Sequence, residues 1–195
     1  MKQYGFYFDQ TLCAGCHACQ IACKAKNHLQ PGSLLRRVRS FETGEFPHPG
    51  IYHLSAGCAH CADPACAAAC PVGRISKDET NGIVACDPDI PCLGEDCLAC
   101  VEACPYGHPV YDRLKKEVVK CGLCRDLLQN GEQPACIASC MMRALAWGPV
   151  DELKARYGPG LVTALPCLPD GGTGPHLLIR ARECAGETSF EEKRM

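Results

Sequence analysis

Hydrophobic and polar positions alternate in only a few short stretches, and each stretch soon stops at a cysteine or a turn residue. Tyr4-Gly5-Phe6-Tyr7-Phe8-Asp9 alternates as a strand does, and Ile21 to Leu29 has the spacing of a short helix. Gln30 to Gly50, with Pro31, Gly32, Pro47 and Pro49, reads as a loop. Ile51 to Ala56 predicts a second strand. Ile75-Ser76-Lys77 and Ile83-Val84-Ala85 flank Asn81-Gly82, which predicts a hairpin turning on that pair. Val118-Val119-Lys120 and Leu145-Ala146-Trp147 are further short apolar runs. Pro149 to Tyr157 predicts a last helix, with Pro149 near its first turn and Gly158 past its end. From Ala185 onward the tail is charged and is expected to be loose. No run approaches a transmembrane helix in length, so membrane contact would need a partner. The pattern is that of an α+β chain with little regular secondary structure.

Composition explains the scarcity of long elements. The apolar fraction of 47% is inflated by nineteen cysteines, and aromatic residues supply only 6%. A large conventional core is therefore not expected in these 195 residues, which suit one compact unit or two small modules. The formal charge of −2 gives no nucleic-acid footprint. No Ser/His/Asp, paired-carboxylate or phosphate-loop constellation stands out, so the chain is read as non-catalytic.

Sixteen of the nineteen cysteines fall into four groups of four. Cys13, Cys16, Cys19 and Cys23 are spaced C-x2-C-x2-C-x3-C, as in bacterial ferredoxins. Cys58, Cys61, Cys66 and Cys70 precede Pro71, and Cys92, Cys97, Cys100 and Cys104 precede Pro105; both groups carry the ferredoxin Cys-Pro ending. Cys121, Cys124, Cys136 and Cys140 complete the series. Three closely spaced thiolates can wrap one iron–sulfur cubane. The fourth lies about one helical turn beyond the third and points toward a neighbouring cluster. Structural zinc uses two separated C-x2-C pairs and leaves the third and fourth cysteines of each group without a reason. Disulfide scaffolds are short and secreted, and the opening Met1-Lys2-Gln3-Tyr4 carries no secretory signal. Iron–sulfur ligation accounts for the pattern, with ligands for four [4Fe–4S] clusters. The clusters then serve as inner scaffold, and their thiolates make the loaded protein more acidic than its formal charge. Because clusters and thiolates oxidise, loading is expected in a reducing cytoplasm.

The repeat implies two ferredoxin-like modules of two clusters each. The second and third groups share the Cys-Pro ending and are natural partners, so the first and fourth pair across them. This gives an inner module, residues 51–112, inserted in a discontinuous outer one, residues 1–50 plus 113–184, with a flexible tail at 185–195. Pairing first with second and third with fourth is the sequential alternative.

With these groups in place, the chain from Gln3 to about Trp147 resembles the four-cluster iron–sulfur subunit of the dimethyl sulfoxide reductase family of molybdenum oxidoreductases. The resemblance is carried by Tyr4-Gly5-Phe6-Tyr7-Phe8-Asp9, Cys19-Gln20-Ile21-Ala22-Cys23-Lys24, Cys58-Ala59-His60-Cys61-Ala62-Asp63-Pro64, Cys104-Pro105-Tyr106-Gly107 and Lys120-Cys121-Gly122-Leu123-Cys124. It implies a non-catalytic electron-transfer subunit. Its partners would be a large molybdenum bis-pterin catalytic subunit and, often, an integral membrane subunit that reacts with quinone, in anaerobic respiration or reductive metabolism. A stand-alone soluble polyferredoxin shuttle is the rival reading. The resemblance further implies Cys13, Cys16, Cys19 and Cys140 for the first cluster, and Cys23, Cys121, Cys124 and Cys136 for the second. Cys58, Cys61, Cys66 and Cys104 would hold the third; Cys70, Cys92, Cys97 and Cys100 would hold the distal one. The order of the clusters is implied by resemblance alone. It also implies a membrane-associated complex assembled in the cytoplasm, which either stays there or is exported already folded with a partner bearing a twin-arginine signal, export being the better supported by relatives.

The sequence departs from the family in the third group, where Leu93-Gly94-Glu95-Asp96 separates Cys92 from Cys97 and lengthens the usual C-x2-C by two residues. The departure bears on the face that meets a membrane subunit in relatives. Cys86 lies close enough upstream to compete with Cys92 as a ligand; Cys92 is favoured because ten residues would separate Cys86 from Cys97, and because the resembled family places this motif just after an Asp-Pro-Asp like Asp87-Pro88-Asp89. Cys86, Cys167 and Cys184 are otherwise read as small buried hydrophobes. His17, His28, His48, His53, His60, His108 and His176 show no ligand spacing. Lys24, Lys120 and Arg125 flank ligands and are read as solvated cations able to influence nearby potentials.

Overall fold

A computed structural model describes residues 2–193; Met1, Arg194 and Met195 lie outside the described residues. The chain runs β1 (Tyr4–Asp9), α1 (Ala18–Lys26), β2 (Arg36–Thr43), β3 (Gly50–Gly57), α2 (Ala65–Ala68), β4 (Ile75–Lys77), β5 (Val84–Cys86), α3 (Ala99–Glu102), β6 (Val110–Asp112) and β7 (Glu117–Val119). It continues through α4 (Arg125–Gln129), α5 (Ala135–Ala138), β8 (Leu145–Pro149), α6 (Val150–Tyr157), β9 (Leu177–Arg180) and β10 (Phe190–Lys193). The mixed class and the small amount of regular structure agree with ferredoxin-like modules.

β1 forms as predicted and lies at the centre of a three-stranded sheet, antiparallel to β8 and parallel to β9. Its alternation sends Phe6 and Phe8 into the main core with Leu145, Leu177 and Ile179. Tyr7 faces the other way, onto Val150 and Leu153 of α6. Gly5 is required by close packing, since a Cβ there would lie 2.3 Å from the His176 carbonyl oxygen. At the strand's end, Asp9 accepts the Thr11 N–H at 2.9 Å and turns the chain into the first cysteine loop. α6 also follows its sequence signals, with Pro149 before it and Gly158, at φ +72°, after it.

Residues 30–50, read as a loop, contain the eight-residue strand β2, which pairs along its whole length with β3. Arg36, Arg37 and Arg39 mask its pattern: Arg36 is buried at a position where a hydrophobe would normally signal the strand. The charged tail, expected to be loose, places β10 antiparallel on the other edge of β2, with Phe190 edge-on to Phe41. β3, expected at the start of the inner module, pairs along its length with β2, which lies outside that module's bounds.

The helix expected at Ile21 to Leu29 starts three residues earlier, at Ala18, and ends at Lys26. His17, at φ 60°, turns the chain out of the cysteine loop and accepts the Gln20 and Ile21 N–H groups on its carbonyl. The β4–β5 hairpin exists, but Lys77 pairs with Val84, so its loop is longer than the Asn-Gly turn predicted. Asp78 organises that loop by accepting from Thr80 N at 2.9 Å and Asn81 Nδ2 at 2.8 Å. A second hairpin, β6–β7, joins the third group to the fourth. A small separate core of Cys66, Ile75, Val84, Cys100 and Val118 lies under α2, α3, β4, β5 and β7.

Candidate metal centres

Four short helices repeat one local design. Ala18-Cys19-Gln20-Ile21-Ala22-Cys23, Ala65-Cys66-Ala67-Ala68-Ala69-Cys70, Ala99-Cys100-Val101-Glu102-Ala103-Cys104 and Ala135-Cys136-Ile137-Ala138-Ser139-Cys140 open α1, α2, α3 and α5. Each places one cysteine in the first turn and another four residues on. The two thiols thus share a helix face about one turn apart. After three of the helices the chain reverses identically. Gly73, Gly107 and Arg143, all with positive φ, donate their N–H to the main-chain carbonyls of Cys70, Cys104 and Cys140 at 3.1 Å. α1 packs on α5 and α2 on α3, so the first group meets the fourth and the second meets the third.

The thiols surround voids. Cys13, Cys16, Cys19 and Cys140 line one cavity, together with Phe8, Val38 and Ser55. Cys23, Cys121, Cys124 and Cys136 line another, with Arg36, Leu35 and Gly57. Cys70, Cys92, Cys97 and Cys100 line a third, with Arg74, Ile75 and Val118. Cys58, Cys61, Cys66 and Cys104 are near enough to act on one another: after burial, and after the offsets from Thr173 on Cys61 and Lys120 on Cys66, Cys58 and Cys104 raise both thiols. Among the described residues, no three His, Cys, Asp or Glu side chains converge on a single-ion position. A tetrahedral zinc site would draw its sulfurs to about 2.3 Å from one centre. Rings of four thiols around apolar voids fit a cluster instead.

Several ligand candidates already carry hydrogen bonds. The Ser55 hydroxyl stands 3.3 Å from Cys19 Sγ, Asn27 Nδ2 donates to Cys23 Sγ at 3.6 Å, and Thr173 Oγ1 donates to Cys61 Sγ at 3.2 Å. Thr173 arrives from the far end of the chain, in a segment that also accepts the Ala62 and Asp63 N–H groups. Cys92 Sγ accepts from Gly94 N at 3.5 Å and Val118 N at 3.4 Å. Cys86 instead directs its thiol to the Val118 carbonyl at 3.7 Å and does not line the Cys92 cavity. Gly15, at φ +66°, lies so close to the His53 ring that a Cβ would meet it at 2.6 Å. This shapes the first loop.

Electrostatics divides the thiols from the cations. Burial, with neighbouring thiols adding to it, pushes Cys23 up to about 11 and Cys100 up to about 11. Cys66 is pushed up to about 12, burial again being the main cause. Lys120, expected to be solvated, is buried; its Nζ donates to the Val84 carbonyl and to the Cys121 carbonyl at 3.0 Å. Burial alone would lower its pKa, but the neighbouring Cys58, Cys121 and Cys66 side chains outweigh that and raise it. Arg36, also buried, donates to the Ser55 carbonyl at 3.0 Å and stacks 4.8 Å from the Phe6 ring centre. Spacing gives no hint of Arg36, Ser55, Asn27 or Thr173. Of the other flanking cations, Lys24 bridges to the Gln30 carbonyl and Arg125 to Asp78 at 3.5 Å. Cys167 is buried, whereas Cys86 and Cys184 are partly exposed. His60 is fully buried and held neutral, burial being the main cause, and its Nδ1 accepts the Val84 N–H at 3.1 Å.

Residues 50–150 match a family model described as a 4Fe-4S dicluster domain. The B subunit of anaerobic dimethyl sulfoxide reductase from Shigella flexneri is 39% identical over 186 residues, covering 91% of this chain and 88% of that protein. Its counterpart in Haemophilus influenzae is 38% identical over 97% of this chain and 96% of that protein. Protein NrfC of Escherichia coli is 38% identical over 77% of this chain and 67% of that protein.

Proposed function

The protein belongs to the 4Fe-4S dicluster family that includes the B subunit of anaerobic dimethyl sulfoxide reductase, and from that membership we propose that it relays electrons through four [4Fe–4S] clusters. It is an iron–sulfur electron-transfer subunit rather than a catalytic one. When bound, each cluster supplies a one-electron carrier; the protein fixes distance, exposure and potential.

The observation that carries the proposal is the composition of the cavities: four thiols each, drawn from two motifs far apart in sequence. In this reading, Cys13, Cys16, Cys19 and Cys140 hold the first cluster and Cys23, Cys121, Cys124 and Cys136 the second. Cys58, Cys61, Cys66 and Cys104 hold the third, and Cys70, Cys92, Cys97 and Cys100 the fourth. The packing of α1 on α5 and of α2 on α3 supports a nested pair of modules. The protein's own residues exclude water with an apolar lining, donate N–H and O–H groups to the sulfurs, and hold cations between the sets.

Both ends of the series are suited to contact with other proteins. Cys16, Leu12, Ile21, Met141 and Met142 are exposed beside the first set, and Val72 and Leu93 are exposed beside the fourth. The first end would meet a large molybdenum bis-pterin catalytic subunit, and the fourth a quinone-reactive membrane subunit or another redox donor. Among the described residues no helix is long and apolar enough to cross a membrane, so a membrane subunit would supply any span. Export of the loaded chain would be in company with a twin-arginine-signalled partner.

Anaerobic purification from the native source tests the assignment. A large molybdopterin protein should co-purify at equal stoichiometry. A chain that purifies alone, and is reduced by several unrelated soluble donors, would instead be a polyferredoxin shuttle.

A further inference from the structure

Two buried cations have no carboxylate partner. Among the described residues neither Arg36 nor Lys120 has an acidic side chain within ion-pair distance, although both are buried. An uncompensated buried charge is strongly disfavoured, so each must draw its counter-charge from something else. The candidates are the thiol sets, and each cation lies between two of them. Arg36 lines the cavity of Cys23, Cys121 and Cys136. On its other side Nη1 donates to Ser55 Oγ at 3.2 Å, and that hydroxyl, its lone pair occupied, is free to donate to Cys19 Sγ at 3.3 Å. Gly57 makes room for the guanidinium, since a Cβ there would lie 3.1 Å from Nη2. Lys120 donates to the main-chain carbonyls of Cys121, a member of the second set, and of Val84, which packs with Cys66 of the third.

The third buried cation differs. Arg74 lines the cavity of the fourth set but is ion-paired with Glu117, so its charge is largely spent there. Glu95 and Asp96 add negative charge in the same loop region as Cys92 and Cys97.

We propose that Arg36 and Lys120 are shared electrostatic bridges, Arg36 serving the first and second clusters and Lys120 the second and third, while the fourth has no such bridge. This rests on the four-cluster reading above. Reduction adds negative charge to a cluster, and a cation between two clusters favours that at both. The low-dielectric surroundings strengthen the effect, and solvent screens it little. The second cluster, adjoined by both cations, gains most, and the fourth gains least.

Anaerobic redox titration of the loaded complex, followed by EPR, tests the proposal with iron content measured alongside. Arg36→Gln should lower the midpoint potentials of the first and second clusters together and leave the fourth unmoved. Lys120→Met should lower the second and third together. Arg36→Lys and Lys120→Arg, which keep the charge, should restore most of each shift. Ser55→Ala keeps the guanidinium but cuts its route to Cys19, so it should lower the first cluster alone. If Arg36→Gln loses iron, Ser55→Ala and Lys120→Met decide. Four intact clusters whose potentials stay put, or move singly in Lys120→Met, would overturn the bridging role. A parent protein with fewer than four clusters would instead overturn the reading beneath it.

Discussion

At Cys92 the sulfur accepts two backbone N–H groups, from Gly94 and Val118, the environment a metal-bound thiolate prefers. Cys86 acts as a donor toward Val118 O. Replacing Cys92 with Ser should therefore convert or abolish the fourth cluster, and replacing Cys86 should leave it intact; EPR and iron content distinguish the two. Glu95 and Asp96 are exposed, so changing them to Gln and Asn should raise the fourth potential only slightly, because water and salt screen them. Thr173→Val removes the O–H donor from Cys61. A hydrogen bond to a charged acceptor is worth about 1.5–3 kcal/mol, and part of that changes with the added electron. The third potential should fall by tens of mV, on the scale of about 59 mV per tenfold for one electron. The thiols of Cys23, Cys66 and Cys100 hold their protons up to about 11 or 12. Iron binding displaces those protons, so the loaded state weakens as pH falls: chelator-driven iron loss should accelerate from about pH 8 to about pH 6. The cysteine spacing makes candidate ligands legible in the sequence, but not Ser55, Asn27 or Thr173. Those act through single side chains brought in by tertiary structure, with no periodicity to announce them.

Among the elements, the four helices with cysteines four residues apart set the connectivity. α1 against α5 and α2 against α3 place Cys140 beside the loop of Cys13 and Cys104 beside that of Cys58. Replacing Cys140 with Ala should damage the first cluster and spare the clusters of the inner module. Replacing Cys104 should damage the third and spare the first. An inner-module EPR signal that vanishes with Cys140 would contradict the nesting. β1, β3 and α6 are legible because alternation, proline and glycine mark them. β2 is not, because a strand is recognised by its buried hydrophobes and this one buries Arg36 beside thiols. β10 is equally hidden, because an edge strand of Glu and Lys, mostly exposed, carries the composition of a tail.

For the molecule as a whole, the core around β1, β2 and β3 is larger than the composition predicts, with Phe6, Phe8, Phe41, Tyr52 and Leu54 buried together, and only in the inner elements does a thiol-lined cavity take much of a core's place. The inner elements share only a handful of buried aliphatic residues, Ile75, Val84 and Val118 among them, and much of the rest of their interior is cysteine. Such a unit depends on its metal for folding free energy, so iron removal should unfold residues around β4, β5 and β7 before the aromatic-rich sheet of β1. Hydrogen exchange after graded chelation reads this order. The number of clusters held by one chain is the central claim. Iron and acid-labile sulfide measured on anaerobically prepared protein should each come to about sixteen per chain, as four cubanes require. About eight of each, or zinc in place of iron, would contradict it.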